Sequence, residues 1–301
     1  MVHRRDKIDS TPKSIDSLEV PSDLEMVSLR DAFKRSEGAA TELFKGYYEG
    51  LRRAFLDPSE VPFEPLLRYK QTAPETALRT FCCLHKGKLV GGAQYQVLTP
   101  SIGPKFGVIE YIWVSDEARG LQLGSRLVEY LERSARNRGA SIMLGEFHDP
   151  LLLSERQHAL DEVSGISASK RLDVWRSWGY RQFNAPYHAP PEGERVQWIP
   201  ELSYRLNPLI PQGLVPREMP WSTHCTLGIK ALQPEFERES YSPAEYLAIV
   251  HAYWDSSSVK YRGHDEYNRF LAALNSLETV SILPLSEPRT FTMESKPDKK
   301  R

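Results

Sequence analysis

The chain has 301 residues, 40% of them hydrophobic and 26% charged, with a formal net charge of −1 at pH 7. That balance excludes a disordered protein, allows one large domain or one domain with an appendage, and excludes a global basic field that would recruit nucleic acid or an acidic membrane. Three cysteines give no disulfide framework, no run is long enough to span a bilayer, and the start MVHRRDKIDS lacks the apolar stretch of a signal peptide, so a cytoplasmic, membrane-free protein is expected.

Residues 1–24 are polar and carry Pro12 and Pro21, the pattern of a mobile tail. Glu25 to Arg30 predicts a first strand. From Gly38 to Phe55, the positions Ala40, Leu43, Phe44, Tyr47, Leu51 and Phe55 trace one helical face, with Tyr47 and Tyr48 as core and rim aromatics. Leu56-Asp57-Pro58 breaks the helix, and Phe63 to Gln71 predicts another short one. Next comes a hairpin, Thr80 to Leu84 and Lys88 to Leu98, turning at His85-Lys86-Gly87 where a glycine suits positive φ. Gly91-Gly92 in its second strand marks a bulge or a close backbone approach.

The stretch from Val108 to Phe147 reads strand, loop, helix, strand. A period of two puts Val108, Glu110, Ile112 and Val114 on one face, so Glu110 is a carboxylate among apolar neighbours. Desolvation there would raise its pKa and suit it to general-base work. After a turn with Arg119 and Gly120, Leu123, Leu127, Val128 and Leu131 line an apolar helix face. Glu129 with Arg133 and Glu132 with Arg136 are expected as charge pairs on the wet side. Gly139 ends the helix, and Ser141 to Phe147 returns as a strand, parallel or nearly so. A helix N-terminus carries roughly half a positive charge and unpaired N–H groups, so the turn feeding it is a ready anion site. Arg119 adds a cation, and Gly120 and Gly124 would let a phosphate approach the backbone.

Beyond it lies a long loop to Lys170. Glu146, His148 and Asp149 at its root sit at the carboxyl end of a strand, where ligands collect in open α/β sheets. His148 and Asp149 are adjacent, so their side chains diverge and no metal site is expected. Lys170 to Trp178 predicts a helix stopped by Gly179, with Tyr180 to His188 and Gln197 to Leu206 as a closing strand pair. Pro208, Pro211, Pro216 and Pro220 make Asn207 to Trp221 a connector. Ser242-Pro243-Ala244-Glu245 is a capping box that opens a helix bearing Tyr246, Leu247, Val250 and Trp254. A last helix, Asp265 to Leu277, carries Tyr267, Phe270, Leu271 and Leu274. Two short helices cannot readily form their own core, so they are expected to pack on the first domain or on a partner. The expected division is a tail at 1–24, a main domain at 25–206, a helical extension at 207–285 and a tail at 286–301.

Arg119-Gly120-Leu121-Gln122-Leu123-Gly124, following a strand that ends in Val114-Ser115, resembles motif A of the GNAT superfamily of acyl-CoA-dependent N-acyltransferases, [Q/R]-x-x-G-x-[G/A], with Gln122 at the first signature glycine. Helix, Gly179-Tyr180 and closing strands repeat the family's order, and Tyr187-His188-Ala189-Pro190 looks like a bacterial subgroup of unassigned substrate. The resemblance, over roughly residues 26 to 206, implies an α/β (α+β) fold with a mixed, mostly antiparallel central sheet and a β-α-β acyl-CoA-binding core. It implies acyl transfer from acetyl-CoA, or another acyl-CoA, to a small-molecule or peptide amine by direct attack in a ternary complex, with no metal. It implies cofactor contacts at Ile112, Trp113, Val114, Arg119, Gly120, Leu121, Gln122, Leu123, Gly124 and Ser125, with Glu110 as base. Glu146, His148 and Asp149 then face the acceptor. Where the family commonly has a tyrosine that protonates the leaving thiolate stands Trp175, whose indole cannot deliver a proton at neutral pH. Tyr111, Tyr187 and His188 are substitutes by residue type, and Tyr187 is taken as the second catalytic candidate. The alternative is an inactive acyl-CoA-binding or interaction module with the same fold. Acceptor, acyl length and oligomeric state stay open.

Overall fold

The computed structural model of the chain describes residues 24–54, 78–155, 158–159, 165–187, 225–256, 262 and 264–285. Strand β1 (Leu24–Ser28) ends where the Ser28 hydroxyl accepts from Asp31 N and caps helix α1 (Leu29–Arg35); α2 (Glu37–Ala54) follows at once. The hairpin is β2 (Arg79–His85) and β3 (Lys88–Leu98), and both Lys86 (φ 53°) and Gly87 (φ 76°) of its turn are left-handed. Two positive φ values in a two-residue loop match the right-handed strand twist. Then come β4 (Phe106–Val114), α3 (Leu123–Asn137) and β5 (Ile142–His148). Gly139 at φ 85° and the Ala140 N bond to Ala135 O terminate α3 as the sequence suggests. The remaining elements are α4 (Ala168–Ser177), β6 (Arg181–Phe183), β7 (Cys225–Ala231), β8 (Ser240–Tyr241), α5 (Pro243–Ser256), α6 (Asp265–Asn275) and β9 (Val280–Pro284).

The strands form one nine-stranded sheet in the order β1-β2-β3-β4-β5-β7-β6-β9-β8. Only β4 and β5 run parallel among these pairs. The fold is thus a mixed α/β architecture with a mostly antiparallel sheet around one β-α-β unit. The strand beside β5 is Cys225–Ala231, pairing along the whole of β5 from Ile142↔Ala231 to His148↔Cys225. The strand expected at 197–206 as the partner of 180–188, and the helix expected at 63–71, lie outside the described residues. Because β7 and β9 sit in the same sheet as β5 and β6, the segment after 206 brings strands as well as helices. Its helices pack on the sheet rather than apart from it: Tyr246, Ile249, Val250, Trp254, Phe270 and Leu274 share one core with Val108, Ile142 and Leu144.

The two faces are covered differently. α3 and Trp175 of α4 lie on one face, over Ala93, Tyr95, Ile109 and Met143. On the other, α2 packs on Cys82 and Trp113, and α5 and α6 pack further along. Gly91 and Gly92 are a close approach, and the bulge falls just before them, at Val90. A Cβ on Gly92 would stand 2.6 Å from the Tyr47 ring and 2.9 Å from Trp113 Nε1, and the register skips Val90 between Cys83↔Gly91 and Leu84↔Leu89. Glu132, expected on the wet side of α3, is instead buried, and Lys230 Nζ of β7 donates to both its carboxylate oxygens at 2.9 and 2.8 Å. Burial raises its pKa and the Lys230 charge opposes that rise. The insertion of β7 beside β5 brings Lys230 there, a contact that helical spacing cannot reveal. Among the described residues no helix is long and apolar enough to cross a membrane.

Candidate active site

The site is made by a change of register. On the β3 side, Gln94 pairs with Tyr111 but Tyr95 pairs with Ile109, so Glu110 is the extra residue of a bulge. A bulge inverts the alternation of side chains beyond it. Val108 therefore packs with α5 and α6, whereas Ile112 and Val114 pack on the α3 face. The expectation that Val108, Glu110, Ile112 and Val114 share one face is corrected: one unpaired residue moves Ile112 and Val114 to the opposite side. Trp113, expected at the cofactor, has its indole under α2 beside Tyr47, 6.0 Å between ring centroids.

The bulge also ends a ladder. β4 and β5 pair only from Phe106↔Ile142 to Ile109↔Gly145, and past that point β4 keeps β3 while β5 keeps β7. The two strands part at Glu110 and Glu146. On the α3 side of the fork, Trp175 lies against Gly145, whose Cβ position is 3.0 Å from its ring. Phe147, Trp178 and Tyr180 surround that indole at centroid distances of 5.8, 5.2 and 4.7 Å. Trp175 is therefore a packing residue beneath the fork.

On the other side of the fork two carboxylates are held by different partners. Gln96 Nε2 donates to Glu110 Oε1 at 2.6 Å. The Tyr187 hydroxyl donates to Glu146 Oε2 at 2.6 Å, and the Cys225 thiol is a further hydrogen-bond partner of that carboxylate. Burial pushes Glu146 upward, against the two hydrogen bonds. Burial, reinforced by the Glu146 charge, pushes Tyr187 well above the usual phenol range. Such a phenol keeps its proton and acts as a hydrogen-bond donor rather than a strong acid. Glu146 and Tyr187, singled out separately in sequence, are thus one pair. His148 is exposed at the end of β5, and Asp149 turns into its own loop, where its Oδ1 accepts from Leu151 N at 3.0 Å. His188 lies outside the described residues, as do residues 156–157 and 160–164 of the 148–169 loop.

At the other end of β4, a short 3-10 turn (Asp116–Ala118) leads to Arg119. Its guanidinium is bound by Asp116 at 2.7 Å and by the Gly165 carbonyl at 3.3 Å, so the expected cation is already partly neutralised. Gly120 has φ 88° and Gln122 φ 56°, and among the described residues no side-chain cap bond forms at Gln122, the N-cap of α3. The first N–H groups of that helix therefore have no side-chain acceptor at the N-cap. A Cβ on Gly120 would meet nothing within 4 Å, whereas one on Gly124 would stand 3.1 Å from Trp178. Gly124 serves helix packing as well as backbone access. Among the described residues no group of His, Cys, Asp and Glu could hold a metal ion.

Sequence reading missed Gln96, Cys225 and Ser256, whose roles depend on which strands and helices become neighbours. The one local signal was the polar Gln96, which with Gln94 interrupts a mostly apolar strand.

A protein-family model described as "Acetyltransferase (GNAT) family" matches residues 41–150, spanning most of α2 through β5. No curated protein matches the chain. Among solved structures it is similar to a putative GNAT-family acetyltransferase from Bacteroides thetaiotaomicron, at 15% identity and TM-score 0.46, covering 79% of this chain and 99% of that one. It is also similar to an aminoglycoside 6'-N-acetyltransferase complexed with coenzyme A, at 15% identity and TM-score 0.40, covering 70% and 98%. A tandem GNAT protein from the clavulanic acid biosynthesis pathway matches at 15% identity and TM-score 0.40 over 55% of this chain; the chain spans 46% of that protein.

Proposed function

We propose that this chain, whose residues 41–150 carry a GNAT-family acetyltransferase domain, is an N-acyltransferase that moves an acyl group, acetyl first among candidates, from coenzyme A to an amine. The observation that carries the reading is the fork of β4 and β5 beyond Ile109 and Gly145, next to the uncapped N-terminus of α3. The fork is a gap in the sheet between two faces, and the helix start is an anion site a short loop away.

The residues fit the cofactor. Backbone N–H groups from Gly120 to Ser125 would hold the pyrophosphate, with Arg119 adding the charge that Asp116 leaves. The β4 edge from Ile112 to Val114 would hold the pantetheine through its backbone. When bound, the thioester supplies an electrophilic carbonyl and a thiolate leaving group. Glu110 takes the proton that the attacking ammonium must lose, directly or through water. Tyr187 keeps its proton and, with Glu146, presents a polar pair toward the acceptor. Transfer draws chiefly on proximity and orientation, so it does not require a strong acid at position 175.

Trp175 in place of a proton donor favours a second reading, an acyl-CoA-binding module without turnover. Calorimetric titration with acetyl-CoA and with CoA, beside Gly124→Trp, tests the cofactor site. Micromolar binding lost in the variant is expected, and no binding to the wild-type chain would overturn both readings. Thiol release from acetyl-CoA with a panel of amino acids, amino sugars and lysine peptides separates the two. Acceptor-dependent release abolished by Glu110→Gln supports the enzyme; binding without release supports the module.

A further inference from the structure

Glu110 is tied to a helix far away in sequence. The nitrogen that donates to Glu110 Oε1, Gln96 Nε2, also donates to Ser256 Oγ at 2.9 Å, across 160 positions of chain. The Ser256 hydroxyl in turn donates to Tyr253 O at 2.6 Å. A side-chain amide nitrogen carries two hydrogens, and both are used here. One reaches the carboxylate and the other reaches the last residue of α5. With both committed, the amide plane cannot turn; with only one, a side chain of three torsions would be free to swing away.

Helix α5 is itself fixed. Its first turn is closed by a reciprocal cap, Ser242 N to Glu245 Oε2 at 3.0 Å and Glu245 N to Ser242 Oγ at 3.2 Å. Tyr246 donates to Pro186 O at 2.9 Å, next to Tyr187. The Trp254 ring packs 6.3 Å from Tyr187 and 5.3 Å from Phe270 of α6, and His251 bonds the Tyr267 hydroxyl at 3.0 Å. One helix therefore touches both halves of the candidate site, packing on Tyr187 and reaching Glu110 through Gln96.

We propose that the C-terminal helix pair, residues 243–275, is a working part of the active site, and that Gln96 is the positioning residue through which the last turn of α5 orients the Glu110 carboxylate. The proposal rests on Glu110 being the base. It concerns a segment outside the 41–150 match, so it assigns a catalytic task to a part of the chain that the family domain does not include. Nothing in it requires α5 to touch the reacting atoms.

Gln96→Met keeps the stem and removes both donors. Turnover is read as thiol release from acetyl-CoA with the amine that works best in the screen above. The loss of a hydrogen bond to a charged group should lower kcat about 10- to 100-fold, with acetyl-CoA affinity and donor KM unchanged. Ser256→Ala, on the exposed end of the relay, should lower kcat about 2- to 10-fold, and the double variant should be no slower than Gln96→Met alone. Independently of turnover, urea unfolding of the same four proteins should show stability losses that are not additive. An unchanged kcat in Gln96→Met, or additive losses in both assays, overturns the proposal. Full turnover in Glu110→Gln overturns the base reading; an inactive Glu110→Gln beside a fully active Gln96→Met overturns the positioning role alone. If no amine is acylated, the unfolding cycle still decides whether the relay exists.

Discussion

Gly145→Ala probes the point where the sheet forks. A methyl there would stand 3.0 Å from Trp175 Cη2, 3.1 Å from Cζ3 and 3.6 Å from Cζ2. The first two contacts are tighter than most Cβ contacts, so the ring or the strand must give by a few tenths of an ångström. The ring has little freedom, since Phe147, Trp178 and Tyr180 enclose it and it is 8% exposed. Overpacking of this kind costs about 1–3 kcal/mol. Urea denaturation followed by tryptophan fluorescence should show a loss of that size. In a Trp175→Phe background, where the smaller ring leaves space, the same methyl should cost less, by at least about 0.5 kcal/mol of coupling. An equal cost in both backgrounds would refute the contact, and with it the account of why position 145 is glycine and position 175 is a packing residue.

Glu146→Gln reads the raised pKa of the buried carboxyl. Because the folded pKa lies above the unfolded value of about 4.3, this group's contribution is most favourable at low pH and is lost as pH rises through the folded pKa. Glutamine mimics the protonated form, so the variant's urea midpoint relative to wild type should rise as pH increases above about 4.3; a difference that stays flat would contradict a raised value. Ser242→Ala removes the hydroxyl that caps α5 and should cost about 1 kcal/mol, within 0.5–2. Acetyl-CoA affinity should be unaltered by calorimetry, and undiminished stability would mean the cap makes no net contribution.

The elements that were legible in sequence are those that local chemistry determines. The capping box at Ser242, the turn at Lys86-Gly87, the stop at Gly139 and the apolar face of α3 need only a few neighbouring residues, and each stands where the pattern put it. The motif at Arg119 to Gly124 also lies at a helix start, as its glycines suggested. What was illegible depends on partners. The bulge at Glu110 is set by how β4 meets Gln94 and Tyr95, and it alone reverses the facing of Ile112 and Val114. Glu132 is expected outside by its helical neighbours and is drawn inside by Lys230, nearly a hundred positions later. Glu146 and Tyr187 were both visible as chemistry, but their pairing needed β6 and β7 in place. Gln96 looked like a strand residue and nothing more until α5 lay beside it.

The place of β7 has a consequence for synthesis. Residues 142–148 of β5 find their outer neighbour only in residues 225–231, so the growing chain carries an open strand edge until that later segment has been made. At translation speeds of about 5–20 residues per second the wait is on the order of ten seconds. An open edge is a template for pairing with other chains. A fragment cut after the expected boundary at 206 would keep that edge permanently, and the fragment worth expressing therefore extends past Ala231.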